Sequence, residues 1–133
     1  MNQIIEPIKE DGSESTLPVL TGKPRITYDD FAKVEITVGK ILSVESIPKS
    51  EKLLKLSVDF DEGSPRIILS GIAKYFPENQ VLVGKKCMFV TNLEPRPMMG
   101  MKSNGMILAV STDDGDFSLL EPSDNIPEGT KAR

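Results

Sequence analysis

Residues 53–60 read Leu-Leu-Lys-Leu-Ser-Val-Asp-Phe, and this stretch decides the fold of the chain. Its even positions are all apolar, and its odd positions after Leu53 are all polar. Such strict alternation predicts a β-strand that buries one face and exposes the other. The glycine-containing residues 61–64 then favour a turn, so residues 66–70 are expected to return as the antiparallel partner of a hairpin.

The segments on either side carry further strand signals. Towards the N-terminus, the even-numbered residues from Val34 to Val44, including Leu42, are all apolar except Lys40. Gly39 interrupts this run where a strongly bent or bulged strand would place a glycine. Towards the C-terminus, three strands are predicted at residues 85–91, 106–110 and 117–120, the last two joined by a turn at residues 113–115.

Short helical segments and a tail complete the prediction. Thr27 is the expected N-cap of one helical turn, and residues 71–76 favour a short helix that Pro77 ends. Five or six short strands with such inserts predict an all-β fold. We assign residues 25–133 to an OB-fold, a five-stranded Greek-key barrel with short helical inserts. Residues 1–24 show no sustained period and predict a flexible tail or linker.

The residues between the strands predicted at 85–91 and 106–110 are unusual. Proline and glycine interrupt every regular period from Asn92 to Met106, which indicates a long loop held between rigid ends. Three methionines lie in its middle, between Arg96 and Lys102. Such a loop often carries function. The alternative is that its methionines fill a local core or interface.

Composition excludes most enzyme classes. The chain of 133 residues has no histidine, which removes histidine-based triads and the commonest neutral-pH proton shuttle. We predict no catalytic residue, no metal site and no cofactor. Cys87 is the single cysteine, so no internal disulfide forms and a reducing, cytoplasmic location is expected. The apolar runs are far too short for a membrane span, so no membrane partner is predicted.

The net charge of −4 is unevenly distributed. Residues 1–24 carry two lysines against four acidic residues, and residues 111–133 carry two basic residues against six acidic ones. Residues 25–110 carry twelve basic residues against ten acidic ones. The central region can therefore present a basic face to an anionic partner.

That basic face has residues suited to a folded RNA. Lysines in and just before the strand predicted at residues 53–60, together with Arg96 and Lys102, predict contacts with phosphates. The outward positions of that strand include no aromatic residue, which disfavours base stacking along a single strand and favours recognition of RNA shape and backbone. Ser103 and Asn104 can donate hydrogen bonds to phosphate or ribose, with Gly105 allowing close approach. A tight turn is the alternative for these three residues.

Several ordered motifs resemble the tRNA-binding OB domain family. They are Asp-Phe-Ala-Lys-Val at 30–34, Val-Gly-Lys-Ile at 38–41, Lys-Leu-Leu-Lys-Leu at 52–56, Ser-Gly-Ile-Ala-Lys-Tyr at 70–75, Val-Gly-Lys-Lys at 83–86, Asn-Leu at 92–93, Gly100, and Ser-Asn-Gly-Met at 103–106. This family includes the C-terminal domain of many methionyl-tRNA synthetases, a free-standing structure-specific tRNA-binding protein, and a secretion-chaperone branch. The resemblance covers roughly residues 26–130.

The resemblance implies a homodimeric OB-fold that grips the outer corner of folded tRNA without reading the anticodon. As site residues it implies Lys52, Lys55, Asn92, Ser103 and Met106. With the loop residues already considered, the complete predicted tRNA-binding set is Lys52, Lys55, Asn92, Arg96, Lys102, Ser103, Asn104, Gly105 and Met106.

The chain departs from the family at several positions where a basic residue is usual. Pro97 replaces one such residue, and Arg96 can compensate for it. Met99, Glu94 and Thr37 replace others. These departures predict modest, salt-sensitive tRNA affinity.

Several alternatives stay open from sequence. The leading hypothesis is a module that enhances tRNA binding by a methionyl-tRNA synthetase catalytic subunit. The second is a secretion-type chaperone or protein-interaction module, suggested by Met98, Met99 and Met101. These methionines are instead consistent with packing in a dimer interface. An initiating methionine favours a native terminus over the linker of a longer synthetase, and the preferred tRNAs and the partner enzyme stay open.

Overall fold

The computed structural model of the protein describes residues 22–133, so most of the tail predicted at residues 1–24 lies outside the described part. The chain divides after Phe31 into two units. In the first, helix α1 spans Tyr28–Phe31. The N–H of Asp30 donates to Oγ1 of Thr27 over 3.0 Å, which confirms the predicted N-cap.

The second unit, Ala32–Arg133, is built mostly from short strands. In the described chain they are β1 Ile36–Ser46, β2 Leu54–Asp59, β3 Arg66–Ser70, β4 Lys86–Val90, β5 Arg96–Met98, β6 Met101–Ser103, β7 Met106–Ile107, β8 Ala109–Ser111 and β9 Phe117–Leu119. The predicted helix at residues 71–76 is a shorter 3₁₀ helix, Ala73–Tyr75. A second 3₁₀ helix, Asn79–Leu82, was not predicted.

Five strands form an antiparallel sheet in the order β3-β2-β1-β4-β7. The sheet curls until the segment between β6 and β7 reaches β3, where the N–H of Asn104 donates to the carbonyl of Ile67 over 2.9 Å. The result is a nearly closed five-stranded barrel, which confirms the predicted all-β OB-fold. Smaller hairpins, β5–β6 and β8–β9, flank the barrel.

The core follows the alternation of β2. Leu54, Leu56, Val58 and Phe60 are all buried, as the sequence predicts. They pack in one cluster with residues from the other barrel strands, including Phe89, whose ring meets that of Phe60 edge to face. Each fully buried aliphatic side chain of this kind contributes about 1.5–3 kcal/mol relative to exposure.

The parity predicted for β1 holds at Val44, which is buried, but is wrong at Leu42. Ile41 is fully buried and Leu42 is 44% exposed, the reverse of the predicted pattern. The pairing with β2 shifts between Ile41 and Ser43, so Leu42 is an extra, bulged residue and the faces exchange after it. Gly39 serves close packing instead of the bulge, since a Cβ there would lie 2.5 Å from Cε1 of Phe60.

The prediction of a loop from Asn92 to Met106 is also wrong, because this stretch folds into the β5–β6 hairpin. Its turn places Met99 and Gly100 at positive φ, 51° and 78°. The strand predicted at 106–110 is two strands, β7 and β8, which pair with β4 and β9. Both differences, the hairpin and the division of one strand into two, depend on pairing between strands, which the local sequence does not show.

The C-terminal segment adds an unpredicted strand-like edge to β1. The N–H of Gly129 donates to the carbonyl of Val38 over 2.8 Å, and the N–H of Val38 donates to the carbonyl of Thr130 over 2.9 Å. The first half of β1 is therefore paired on both sides, by β4 and by this segment. An edge covered in this way is closed to pairing with another chain.

Candidate nucleic-acid interface

A groove of about 180 Å³ lies on the outer wall of the barrel. Its walls come from the end of β3, the β5–β6 hairpin and β7. The predicted site residues that line it are Arg96, Ser103, Gly105 and Met106. The fold therefore brings together four residues that the sequence analysis selected.

The same groove is continuous with a row of residues that crosses four strands. Lys55 on β2 pairs directly with Leu69 on β3. The N–H of Leu69 donates to the hydroxyl of Ser103 on β6, and Ser103 pairs with Arg96 on β5. Directly paired residues share one face of a sheet. Lys55 therefore shares the outer face of the barrel with Leu69, which lines the groove together with Ser103 and Arg96.

The other predicted basic residues lie near this row. Lys102 is exposed on β6, opposite Pro97 of β5. Lys52 is exposed just before β2, and its carbonyl accepts a hydrogen bond of 3.0 Å from the N–H of Ala73, next to the groove-lining end of β3. Lys102 lies between residues of the groove face, so it points to the other face of the hairpin, and neither Lys52 nor Lys102 lines the groove. Contact between these lysines and phosphates stays a prediction.

Ser103 is 4% exposed, so its hydroxyl is used within the protein. Its Oγ accepts the N–H of Leu69 over 2.9 Å and lies 3.1 Å from the carbonyl of Gly105, to which it donates. These bonds hold the β5–β6 hairpin against β3. Direct contact between Ser103 and RNA stays a prediction.

Asn92 also makes internal hydrogen bonds. Its Oδ1 accepts the N–H of Glu35 over 2.7 Å, and its Nδ2 donates to the carbonyl of Lys33 over 2.6 Å. The side chain thus joins the end of β4 to the segment that enters β1. Its neighbour Leu93, which the sequence analysis did not select as a site residue, lines the groove.

Gly105 is required by the packing of the barrel itself. Its φ is +144°, and a Cβ there would lie 3.0 Å from Cδ1 of Ile68 and 3.3 Å from the carbonyl oxygen of Val90. A side chain would be strained at this φ and would crowd strands β3 and β4. Close approach of RNA to Gly105 stays a prediction.

Arg66 fixes the ends of the segment that carries the groove, and the sequence analysis missed it. Its guanidinium donates to both carboxylate oxygens of Glu62, over 2.5 and 3.0 Å, and to the carbonyl of Thr91 over 2.7 Å. A weaker contact of 3.5 Å reaches the carbonyl of Asn104. The hydrogen bonds from Arg66 hold the pKa of Glu62 below its usual range, and the same pairing raises the pKa of Arg66. No local sequence signal distinguishes this arginine from a surface one.

A second polar network lies beside Arg66. The hydroxyl of Thr91 donates to the carboxylate of Glu35, and this bond lowers the pKa of Glu35, with a further contribution from Lys131. Nζ of Lys131 lies 3.4 Å from that carboxylate. The network ties the C-terminal segment to the barrel.

Within residues 22–133, no helix is long and apolar enough to cross a membrane. The same residues include no group of three or more cysteine, aspartate or glutamate side chains arranged to hold a metal ion.

Comparison with known proteins adds a family and relatives. A family model described as "Putative tRNA binding domain" matches residues 36–131. The methionine–tRNA ligase of Methanoregula boonei is 51% identical over 111 residues, which are 83% of this chain and 16% of the ligase. The chain thus spans a small part of this curated relative.

Two solved structures are similar over their whole length. The MetRS-related protein from Pyrococcus horikoshii aligns with a TM-score of 0.75 and 35% identity, covering 84% of this chain and 100% of that one. The chaperone CsaA from Bacillus anthracis aligns with a TM-score of 0.71 and 28% identity, covering 83% of this chain and 100% of that one.

Proposed function

The chain belongs to the tRNA-binding domain family, and from that premise we propose that it binds folded tRNA as a non-catalytic module. The cytoplasmic partner in this proposal is a methionyl-tRNA synthetase, because the domain is related to part of methionine–tRNA ligases. Holding tRNA beside the catalytic subunit raises its effective concentration there. A homodimer would present two such surfaces.

The observation that carries this proposal is the row Lys55–Leu69–Ser103–Arg96 beside the groove. It links an outward lysine of β2 to an arginine that lines the groove, in a chain whose net charge is −4. Cations on such a surface can contact phosphates of a bent RNA backbone. The absence of aromatic residues among the residues that line the groove supports recognition of RNA shape over stacking on aromatic side chains.

Filter binding of deacylated tRNA to the 133-residue chain tests the proposal. We expect the affinity to fall steeply with salt, and the slope of log affinity against log salt to decrease by about 1 for each of Lys55→Ala and Arg96→Ala. Lys85→Ala is the matched control, because Lys85 pairs with Glu121 over 3.6 Å and lines a different groove. Equal affinity for tRNA and for an unstructured oligonucleotide would reject the proposal.

A second candidate is a protein-interaction or chaperone function. The similarity to the chaperone CsaA and the apolar groove lining of Leu93, Met98 and Met106 favour it. Suppression of client aggregation at micromolar chain concentrations, without retardation of tRNA, would replace the first proposal with this one.

A further inference from the structure

We propose that the groove beside the β5–β6 hairpin holds one unstacked nucleobase of the bound RNA, an inference that rests on the proposed function. Its apolar lining includes Leu93, Met98 and Met106, which come from three different segments. Arg96 contributes the cationic part of the lining. These side chains surround a space of about 180 Å³, suited to a single planar ring system.

The chemistry of the lining favours an aromatic heterocycle. Methionine sulfur makes favourable contacts with aromatic rings, and its flexible chain adapts to irregular shapes. The plane of a guanidinium group stacks on a nucleobase, as arginine does where RNA bases are unstacked. Met98, Met106 and Arg96 together can therefore replace the aromatic platform that the barrel lacks.

The charged residues of the lining favour a neutral group inside the groove. Glu94 lines the groove together with Arg96, so the interior has no net charge from these two side chains. A phosphate inside would meet the carboxylate of Glu94, whereas a neutral base would not. Lys55 lies outside the groove, on the outer face of β2 beside the groove-lining Leu69, where a phosphate next to a captured base would pass.

Two exposed apolar residues line the groove, and the barrel sheet holds one of them. Met106 is 45% exposed although it pairs with Val90 in the barrel sheet, and Leu93 is 44% exposed. The next residue, Ile107, points into the core and fixes the direction of Met106. Because Ser103 already anchors the opposite wall, the groove is formed before ligand arrives and little ordering entropy is lost on binding.

The test compares a double variant, Met98→Ala with Met106→Ala, against the matched control Met99→Ala. Met99 is an exposed methionine of the same hairpin that does not line the groove. The full chain is titrated with deacylated tRNA at several salt concentrations. Dimethyl sulfate then probes the Watson–Crick edges of unpaired adenines and cytosines in the complex. Guanines and uridines are probed by chemical modification followed by strand cleavage with aniline. Thermal unfolding checks that each variant is folded.

We expect the double variant to bind tRNA about tenfold more weakly, with an unchanged salt slope because no phosphate contact is lost. One base protected by the wild-type chain becomes reactive with the variant, and Met99→Ala behaves as wild type. Wild-type affinity in the folded double variant, or the absence of any protected base, would overturn the nucleobase site while leaving the tRNA-binding function standing. If the double variant no longer suppresses aggregation of a client protein but keeps wild-type tRNA affinity, the groove instead binds apolar peptide side chains. If the wild type does not prefer tRNA, the proposed function itself fails.

Discussion

Replacing Ser103 with alanine separates a structural role from direct contact with RNA. Ser103 is 4% exposed, and its hydroxyl is the acceptor for the N–H of Leu69, at 2.9 Å. Alanine leaves that buried N–H without a partner, which costs about 1–3 kcal/mol. For a central value of about 2 kcal/mol, a domain of this size loses about 8–16 °C in Tm. We therefore expect Ser103→Ala to be clearly destabilised.

The assay combines three measurements on the same samples. Urea denaturation gives the free energy of unfolding, amide hydrogen exchange reports the N–H of Leu69, and filter binding gives the tRNA affinity. Ser57→Ala is the control, because Ser57 lies on the outer face of β2 and is expected to change stability by less than about 0.5 kcal/mol. We expect faster exchange at Leu69 only in Ser103→Ala.

The result that would refute this reasoning is specific. If Ser103→Ala unfolds at the wild-type urea concentration and keeps slow exchange at Leu69, the hydroxyl does not hold the hairpin. Lost tRNA affinity in such a variant would make Ser103 a direct contact instead.

Three further predictions concern the barrel. Gly39→Ala should lower the free energy of unfolding by about 3 kcal/mol, because the new methyl group would overlap the ring of Phe60; a wild-type denaturation midpoint would contradict this. Glu35 and Glu62 have lowered pKa values in the folded chain, so their stabilisation is present above about pH 4.5 and is lost as pH falls through the folded values. Urea midpoints from pH 7 to about pH 3 should show this loss, with a shallower decline in Glu62→Gln. Burial raises the pKa of Cys87 to about 12, so its thiol should resist thiol reagents at pH 8 until the chain is unfolded, and rapid native-state labelling would show that the core opens.

Patterns that depend on neighbouring residues could be predicted from the sequence. The alternation in β2, the N-cap at Thr27 and the turn at residues 113–115 all appear in the structure because each depends on a few consecutive side chains. The bulge at Leu42 could not be placed, since a register shift is defined by the partner strand. The β5–β6 hairpin was missed for a related reason. Its proline and glycine content resembles that of a loop until two short strands are seen to pair.

The candidate site divides in the same way. Composition and ordered motifs, read from the sequence alone, identified a β-barrel of a tRNA-binding family and selected Arg96, Ser103 and Met106. Only the tertiary structure decided what each side chain does. It directs the hydroxyl of Ser103 and the amide of Asn92 into the protein, and it leaves Met106 and Arg96 facing a groove. The physical reason is that a polar group bonds to whichever partner folding brings within reach, and that partner is set by strands far apart in the chain.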